Sequence, residues 1–181
     1  MDVSIVERKF SLRSEYDITA PGRKMIAQKA FFSLGSTIEL KTPANVPIAT
    51  IQSQFSLTTH YKFEFVNGHV YDFRTEKVWK GVYVCEGNGL TYSYYQHEGL
   101  RASIFQDERQ IAALTKSRFV VGDGNEYAVQ MNRDANLAVV VCMILAINTA
   151  DHDDSDNTTF NVDFGSIGPE DKAFDETWTP T

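Results

Sequence analysis

Four histidines, two cysteines and a run of carboxylates are where this 181-residue chain could do chemistry. His60 and His69 flank a turn and could lie near each other, yet no Cys or carboxylate stands at ligand spacing beside them. A solvent-exposed hairpin pair is the reading. His97-Glu98 lacks the second histidine of a zinc-protease helix, ends in Gly99, and reads as a turn. Cys142 falls inside an apolar stretch, where burial raises a thiol's pKa and makes it inert. Cys85 is read as a semi-exposed strand residue with no neighbour to activate it. The chain has no Gly-x-Ser-x-Gly elbow, and Gly122-Asp123-Gly124-Asn125 lacks the Lys-Ser/Thr of a phosphate cradle. Asp151, Asp153, Asp154 and Asp156 fail as an EF-hand, because the sixth position from Asp151 is Asp156 and the twelfth is Val162. They read as a solvated acidic linker, with weak cation binding outside the EF-hand pattern as the alternative. The expectation is a protein that is not an enzyme, with no catalytic residue, metal or cofactor.

The bases suggest binding instead. Arg8/Lys9, Arg23/Lys24, Arg74/Lys77/Lys80 and Lys116/Arg118 would form an anionic head-group site if they converged on one side. Arg74, Lys77, Lys80, Lys116 and Arg118 are the candidate ligand residues. Scattered strand-face lysines that keep edges soluble are the other meaning of the same residues. Charge is unevenly spread. Residues 151–181 carry nine acids and one base, a net −8, whereas residues 1–150 hold 16 bases and 15 acids. A neutral body with an acidic tail lacks the phosphate-neutralising field that nucleic-acid binding needs.

These residues must be held by sheet. Hydrophobic residues at 43% and charged ones at 23% describe a globular chain, and 181 residues make one domain with an appendage. Residues 7–131 alternate with period two: Phe10 and Leu12, Ile38 and Leu40, Tyr61, Phe63 and Phe65, Tyr71 and Phe73. The pattern continues at Val82 and Val84, Tyr92 and Tyr94, Ala102 and Ile104, then Tyr127, Val129 and Met131. Turn signals punctuate the runs at Pro21-Gly22, Gly35-Ser36, Asn67-Gly68, Gly87-Asn88-Gly89 and Asp107-Glu108. The spacing predicts about eleven antiparallel strands in a sandwich or barrel.

Residues 135–150 then carry no charge, and Leu137–Ile147 is apolar at every position. The spacing predicts a helix over 135–150 with Asp134 as N-cap. Its rise of roughly 24 Å falls short of a hydrocarbon core of roughly 30 Å, so no membrane-spanning segment is expected. A helix apolar all round must be buried within protein, and a closed sheet wrapped around it is the economical arrangement. Its Ala138, Cys142, Ala146 and Ala150 stripe would let one barrel wall approach closely. After it, Phe160, Val162 and Phe164 alternate like a strand, and Phe174 and Trp178 are large apolar groups in a charged setting. Either the tail docks on the barrel, as an edge strand for example, or it is disordered with stray aromatics.

The strand rhythm, the phrases Ile48-Ala49-Thr50-Ile51 and Ala112-Ala113-Leu114-Thr115-Lys116, and above all Asp134–Asp151 carry a resemblance over residues 7–150. On them the chain resembles the LURP-one-related family of the tubby C-terminal-like superfamily, relatives of the phospholipid scramblases. The resemblance implies a closed barrel of about twelve antiparallel strands around a central buried hydrophobic helix. Tubby domains bind phosphoinositides and scramblases act on membranes, while most relatives have no assigned activity. No basic head-group motif matches by position, and the acidic extension departs from the compact family pattern.

Two cysteines in unrelated contexts and a charged, short-runned N-terminus lead to a cytoplasmic expectation, peripheral to the membrane at most. The Asn157-Thr158-Thr159 sequon then has no glycosylation to serve. The functional expectation is a non-enzymatic binding protein that recognises anionic phospholipid or a protein partner, with the acidic tail competing for the basic clusters. A small-molecule carrier or enzyme with a barrel-wall pocket, and a scramblase-like membrane protein, are the alternatives.

Overall fold

The computed structural model describes residues 1–10, 13–32, 35–118, 124–155 and 170–181. Twelve strands follow in chain order: β1 (Asp2–Phe10), β2 (Arg13–Ala20), β3 (Arg23–Phe32), β4 (Gly35–Lys41), β5 (Pro47–Ser53), β6 (His60–Phe65), β7 (Val70–Lys77), β8 (Val82–Gly87), β9 (Leu90–His97), β10 (Arg101–Gln106), β11 (Arg109–Arg118) and β12 (Asn125–Met131). A 3-10 turn (Val78–Lys80) joins β7 to β8, and one helix, α1 (Leu137–Ser155), follows β12. Each strand pairs antiparallel with the next, and β1 pairs with β12, so the sheet closes into a barrel with no free edge. Twelve is one more than the count of about eleven that the spacing predicts and is the number that the resemblance implies. Phe10 pairs with Arg13, so β1 ends at Phe10.

Period-two burial fills the inside. Val3 and Ile5, Tyr16 and Ile18, Ile38 and Leu40, Phe63 with Phe73, and Tyr92 with Tyr94 all face the lumen and are buried. The Phe63 and Phe73 rings stack with centroids 5.5 Å apart. The helix occupies the centre: Val139 through Ala146 are at most 1% exposed, each large side chain contributing about 1.5–3 kcal/mol by leaving water. Its backbone comes closest to β5, whose inward residues are Ala49 and Ile51. No helix among the described residues is long and apolar enough to cross a membrane.

Two expectations about α1 are corrected. Its N-cap is Asn136, whose Oδ1 accepts from the backbone N–H of Ala138 (3.2 Å) and Val139 (3.4 Å). Asp134 instead accepts from Arg109 at 2.8 Å, outside the helix. An asparagine needs no ion partner to cap, whereas the carboxylate finds a guanidinium within reach. The helix also runs to Ser155, beyond the 150 expected from the apolar run.

Because adjacent strands alternate in direction, the connections alternate between two barrel ends. The helix enters from the end where β12 stops and reaches the opposite end near its C-terminus. There a buried polar layer meets it. Asn148, fully buried, donates from Nδ2 to Tyr16 Oη (2.9 Å), while its Oδ1 accepts from Tyr127 Oη (2.6 Å) and Asn125 Nδ2 (2.8 Å). Glu7 extends the network, accepting from Tyr16 Oη at 3.3 Å and from the Asn125 backbone and side-chain nitrogens at 3.2 Å each. Burial pushes the Tyr16 hydroxyl well above its ordinary pKa, and the Glu7 charge adds to it. The layer satisfies the Asn148 amide and fixes the helix's rotation in a lumen filled mainly by apolar side chains.

Candidate anion-binding site

The β7–β8 and β9–β10 connections open at the same barrel end. The 3-10 turn ends on Gly81 in the left-handed region (φ 57°), and this tight reversal brings Lys77 and Lys80 to one rim. Both reach Asp171: Lys80 Nζ at 2.5 Å on Oδ1, and Lys77 on Oδ2. Hydrogen bonds from Lys77 and Lys80 hold the Asp171 carboxyl below the usual carboxylate range, and Asp171 raises Lys77 in turn.

Asp171 belongs to the strap of residues 170–181, which lies against the outer wall. His97 ends β9 on its outward face, yet its side chain is only 1% exposed because the strap covers it. Its Nδ1 meets Glu170 Oε2 at 2.9 Å, its Nε2 meets Ser103 Oγ at 2.7 Å, and the Phe174 ring packs edge-on at 5.2 Å. Burial alone would push the Glu170 carboxyl up. The His97 contact and the backbone N–H groups of Glu98 and Phe174 outweigh it and hold Glu170 low. Arg101 stacks over Phe174 with Cζ 4.6 Å from the ring centroid and pairs with Glu176. Lys172 lies over Phe105 (3.9 Å) and reaches Glu108 at 2.9 Å. At the far end, Thr181 N donates to Asn132 Oδ1 (2.8 Å) and Thr181 O accepts from Arg133 N (3.0 Å).

Of the candidate bases whose side chains are described, Lys77 and Lys80 are brought together on Asp171. Arg74, outward on β7, is held by Asp72 (3.0 Å) and Glu86 (2.8 Å), which raise its pKa. Lys116 lies over the Tyr127 ring at 5.6 Å, on β11, three strands from β8. Arg118 ends β11, at the same barrel end as Lys77. Arg8 pairs with Asp17, and Arg23 and Lys24 open β3 at the opposite barrel end, so that last cluster stands apart from Lys77 and Lys80.

Other expectations fare unevenly. His60 and His69 lie at opposite ends of the β6–β7 hairpin; His60 Nε2 contacts Asp72 at 2.7 Å while His69 sits in the turn. Cys85 is fully buried rather than semi-exposed, because it faces inward beside Phe73 in register. Burial drives both thiols' pKa values up, Cys142's within α1 included. The strap docks through an irregular chain, not an added strand, since a closed barrel offers no edge. Phe160, Val162 and Phe164 lie outside the described residues. Among the described residues no group of three or more His, Cys, Asp or Glu side chains is placed to hold a metal ion.

Sequence reasoning missed Ser103 and Arg101, and read His97 as a turn residue where it is the buried last residue of β9. The signal was present in Glu170-Asp171 followed by Phe174 and Glu176, an acidic-aromatic phrase that needs basic and aromatic partners, but nothing local names them. Exposed Phe55, Leu57, Val78 and Trp79 stand at the same end as Lys77, where Thr75 N donates to Thr59 O at 2.9 Å and ties the two connections. Compared with models of known protein families, with curated proteins and with solved structures, the chain matches none. The site defines a β-barrel with a basic rim occupied by an acidic strap from the same chain.

Proposed function

We propose that this chain is a non-enzymatic binding protein that recognises an anionic group at Lys77 and Lys80, with its own acidic tail as the competitor. The observation that carries the reading is Asp171, whose two carboxylate oxygens each take one of those lysines. A rim that holds a carboxylate in this way has the chemistry to hold a phosphate headgroup or a partner's carboxylate. The filled lumen supports recognition on the outside over a small-molecule carrier, because the space a ligand would need is taken by α1. The resemblance to LURP-one-related proteins belongs to the same proposal, as does a cytoplasmic location, which two unpaired buried thiols support.

Co-sedimentation tests it. Wild type and D171N are mixed with phosphatidylcholine vesicles, alone or with phosphatidylserine, at low and high salt. Stronger pelleting of D171N with the anionic vesicles only, released by salt, supports headgroup recognition under tail control. Pelleting of neither form, together with failure of D171N to bind any acidic peptide, overturns the reading.

A further inference from the structure

The strap shows what the outer wall can recognise. It makes no ladder with the barrel, whose strands are already paired on both sides. Among the described residues, the buried hydrophobic cluster is assembled from residues before 151. Over residues 170–176 the strap is held by side-chain contacts in fixed order: Glu170 on His97, Asp171 on Lys77 and Lys80, Lys172 on Phe105 and Glu108, Phe174 between His97 and Arg101, and Glu176 on Arg101. Its end is tied separately, by Thr181 to Arg133 and Asn132. The Arg101–Glu176 and Lys77–Asp171 pairs are partly solvent-exposed, with Glu176 70% and Lys77 52% exposed, so each contributes little and is screened by salt, whereas the Glu170–His97 contact is largely buried. The one feature with the geometry of an anchor is Phe174, caught between an imidazole edge and a guanidinium face.

A segment held this way is exchangeable for another of the same pattern. Resting on the anion-recognition reading, we propose that the wall formed by the β7–β8 turn, His97 and Arg101 is a docking groove for a segment of a protein partner. That segment is extended, carries two adjacent acids and has an aromatic side chain three residues after the second. Residues 170–176 occupy the groove in cis as a built-in pseudo-ligand. The acids find the lysine pair and His97, the aromatic finds the His97–Arg101 cleft, and a later acid finds Arg101. The aromatic requirement separates this partner from a lipid headgroup, which offers the charge without the ring.

A cis strap acts at an effective concentration on the order of millimolar, so the intact chain binds such a segment weakly, in proportion to the fraction with the strap undocked. The test uses a fluorescein-labelled peptide of residues 170–181 and fluorescence anisotropy against full-length chains. The chains are wild type, the strap-weakened F174A/E176A, and the same variant carrying K77E/K80E. The strap-weakened chain is expected to bind about tenfold or more tightly than wild type, because the competitor has been loosened. K77E/K80E should abolish binding, and a peptide with alanine in place of its phenylalanine should lose about tenfold. D171N, which weakens the strap by a different contact, serves if F174A/E176A fails to give the wild-type circular dichroism spectrum.

Absence of peptide binding to any chain overturns the inference, as does equal binding of the phenylalanine-free peptide. Vesicle co-sedimentation of the same variants separates the two readings. Strap-weakened chain that pellets with anionic vesicles but ignores the peptide sinks the groove and leaves anion recognition standing. Failure on both substrates sinks both. Peptide binding without vesicle binding supports the groove and removes the membrane as the source of the anion.

Discussion

Replacing Asn148 by alanine is the sharpest test of how the helix is held. The side chain is fully buried and makes three hydrogen bonds, to Tyr16, Tyr127 and Asn125. Each contributes about 1 kcal/mol net, and the truncation also strands polar groups that face the space left behind. The expected loss is therefore about 3–5 kcal/mol, a large part of a typical domain's stability. At roughly 0.4 kcal/mol per degree for a chain of this length, Tm should fall by about 8–12 °C. N136A is the control: it removes the exposed N-cap of the same helix and should cost about 1 kcal/mol, or about 2–3 °C. N148L adds a second arm. If apolar filling were what the site needs, leucine would restore stability; the polar layer predicts a loss at least as large as alanine's. Urea titration followed by near-ultraviolet circular dichroism reads all three, with the m-value unchanged if only stability moves. An N148A loss below about 1 kcal/mol, or one equal to that of N136A, would refute the view that this layer fixes the helix.

Three further outcomes are expected. Strap docking should be lost in acid: Glu170 and Asp171 are both held below the ordinary carboxylate range, so their contribution is complete above about pH 4–5 and disappears as pH falls through the lowered values. In a W79F chain, Trp178 emission should stay constant from neutral pH down to about 5 and redden only below about 4, whereas a transition completed above about pH 5 would refute carboxylate control. Cys85 and Cys142 should resist a thiol reagent until the barrel unfolds, since both are buried and their thiolates disfavoured; rapid modification of either in native buffer contradicts the packing. G87A should destabilise more than G89A, because a Cβ at Gly87 would lie 2.3 Å from the Val70 carbonyl oxygen, while Gly89 (φ +74°) has open space around it and loses only about 1 kcal/mol of backbone preference. Parallel urea midpoints decide the order.

The barrel was legible because its causes are local. Alternation at Tyr61, Phe63, Tyr71 and Phe73 places large rings on one face, and Asn67-Gly68 supplies the turn between them. Closure was legible too, through one non-local constraint: a helix apolar on every side has no stable place except inside protein. What escaped were features with no periodic signature. The β1–β2 reversal sits inside a run whose hydrophobic alternation continues across it, and Phe10 pairing with Arg13 is visible only in three dimensions. The N-cap at Asn136 escaped as well: Asp134 is a good cap by residue type, but its carboxylate is taken by Arg109, 25 residues away. Asn148, next to an apolar run, carries no local sign of its partners, which stand on β2 and β12.

The site was half legible for a related reason. The charge split between body and tail is readable, and so is the idea that the tail competes for bases, but pairing identity is not. Asp171 meets Lys77 across 94 residues, and Glu170 meets His97 across 73. Closing the barrel makes those meetings possible in a particular way. With every strand edge consumed, a tail has no backbone ladder to join and must be held by what its side chains find on the wall. Attachment that over residues 170–176 runs mainly through side chains carries sequence information, because moving the acid pair or the aromatic by one residue would break its register with Lys77, Lys80, His97 and Arg101. It is also weak contact by contact, since partly exposed ion pairs are screened. A strap that is specific in pattern and shallow in energy has the properties of a competitor; an edge strand, locked by backbone hydrogen bonds, would instead have closed this wall to any partner.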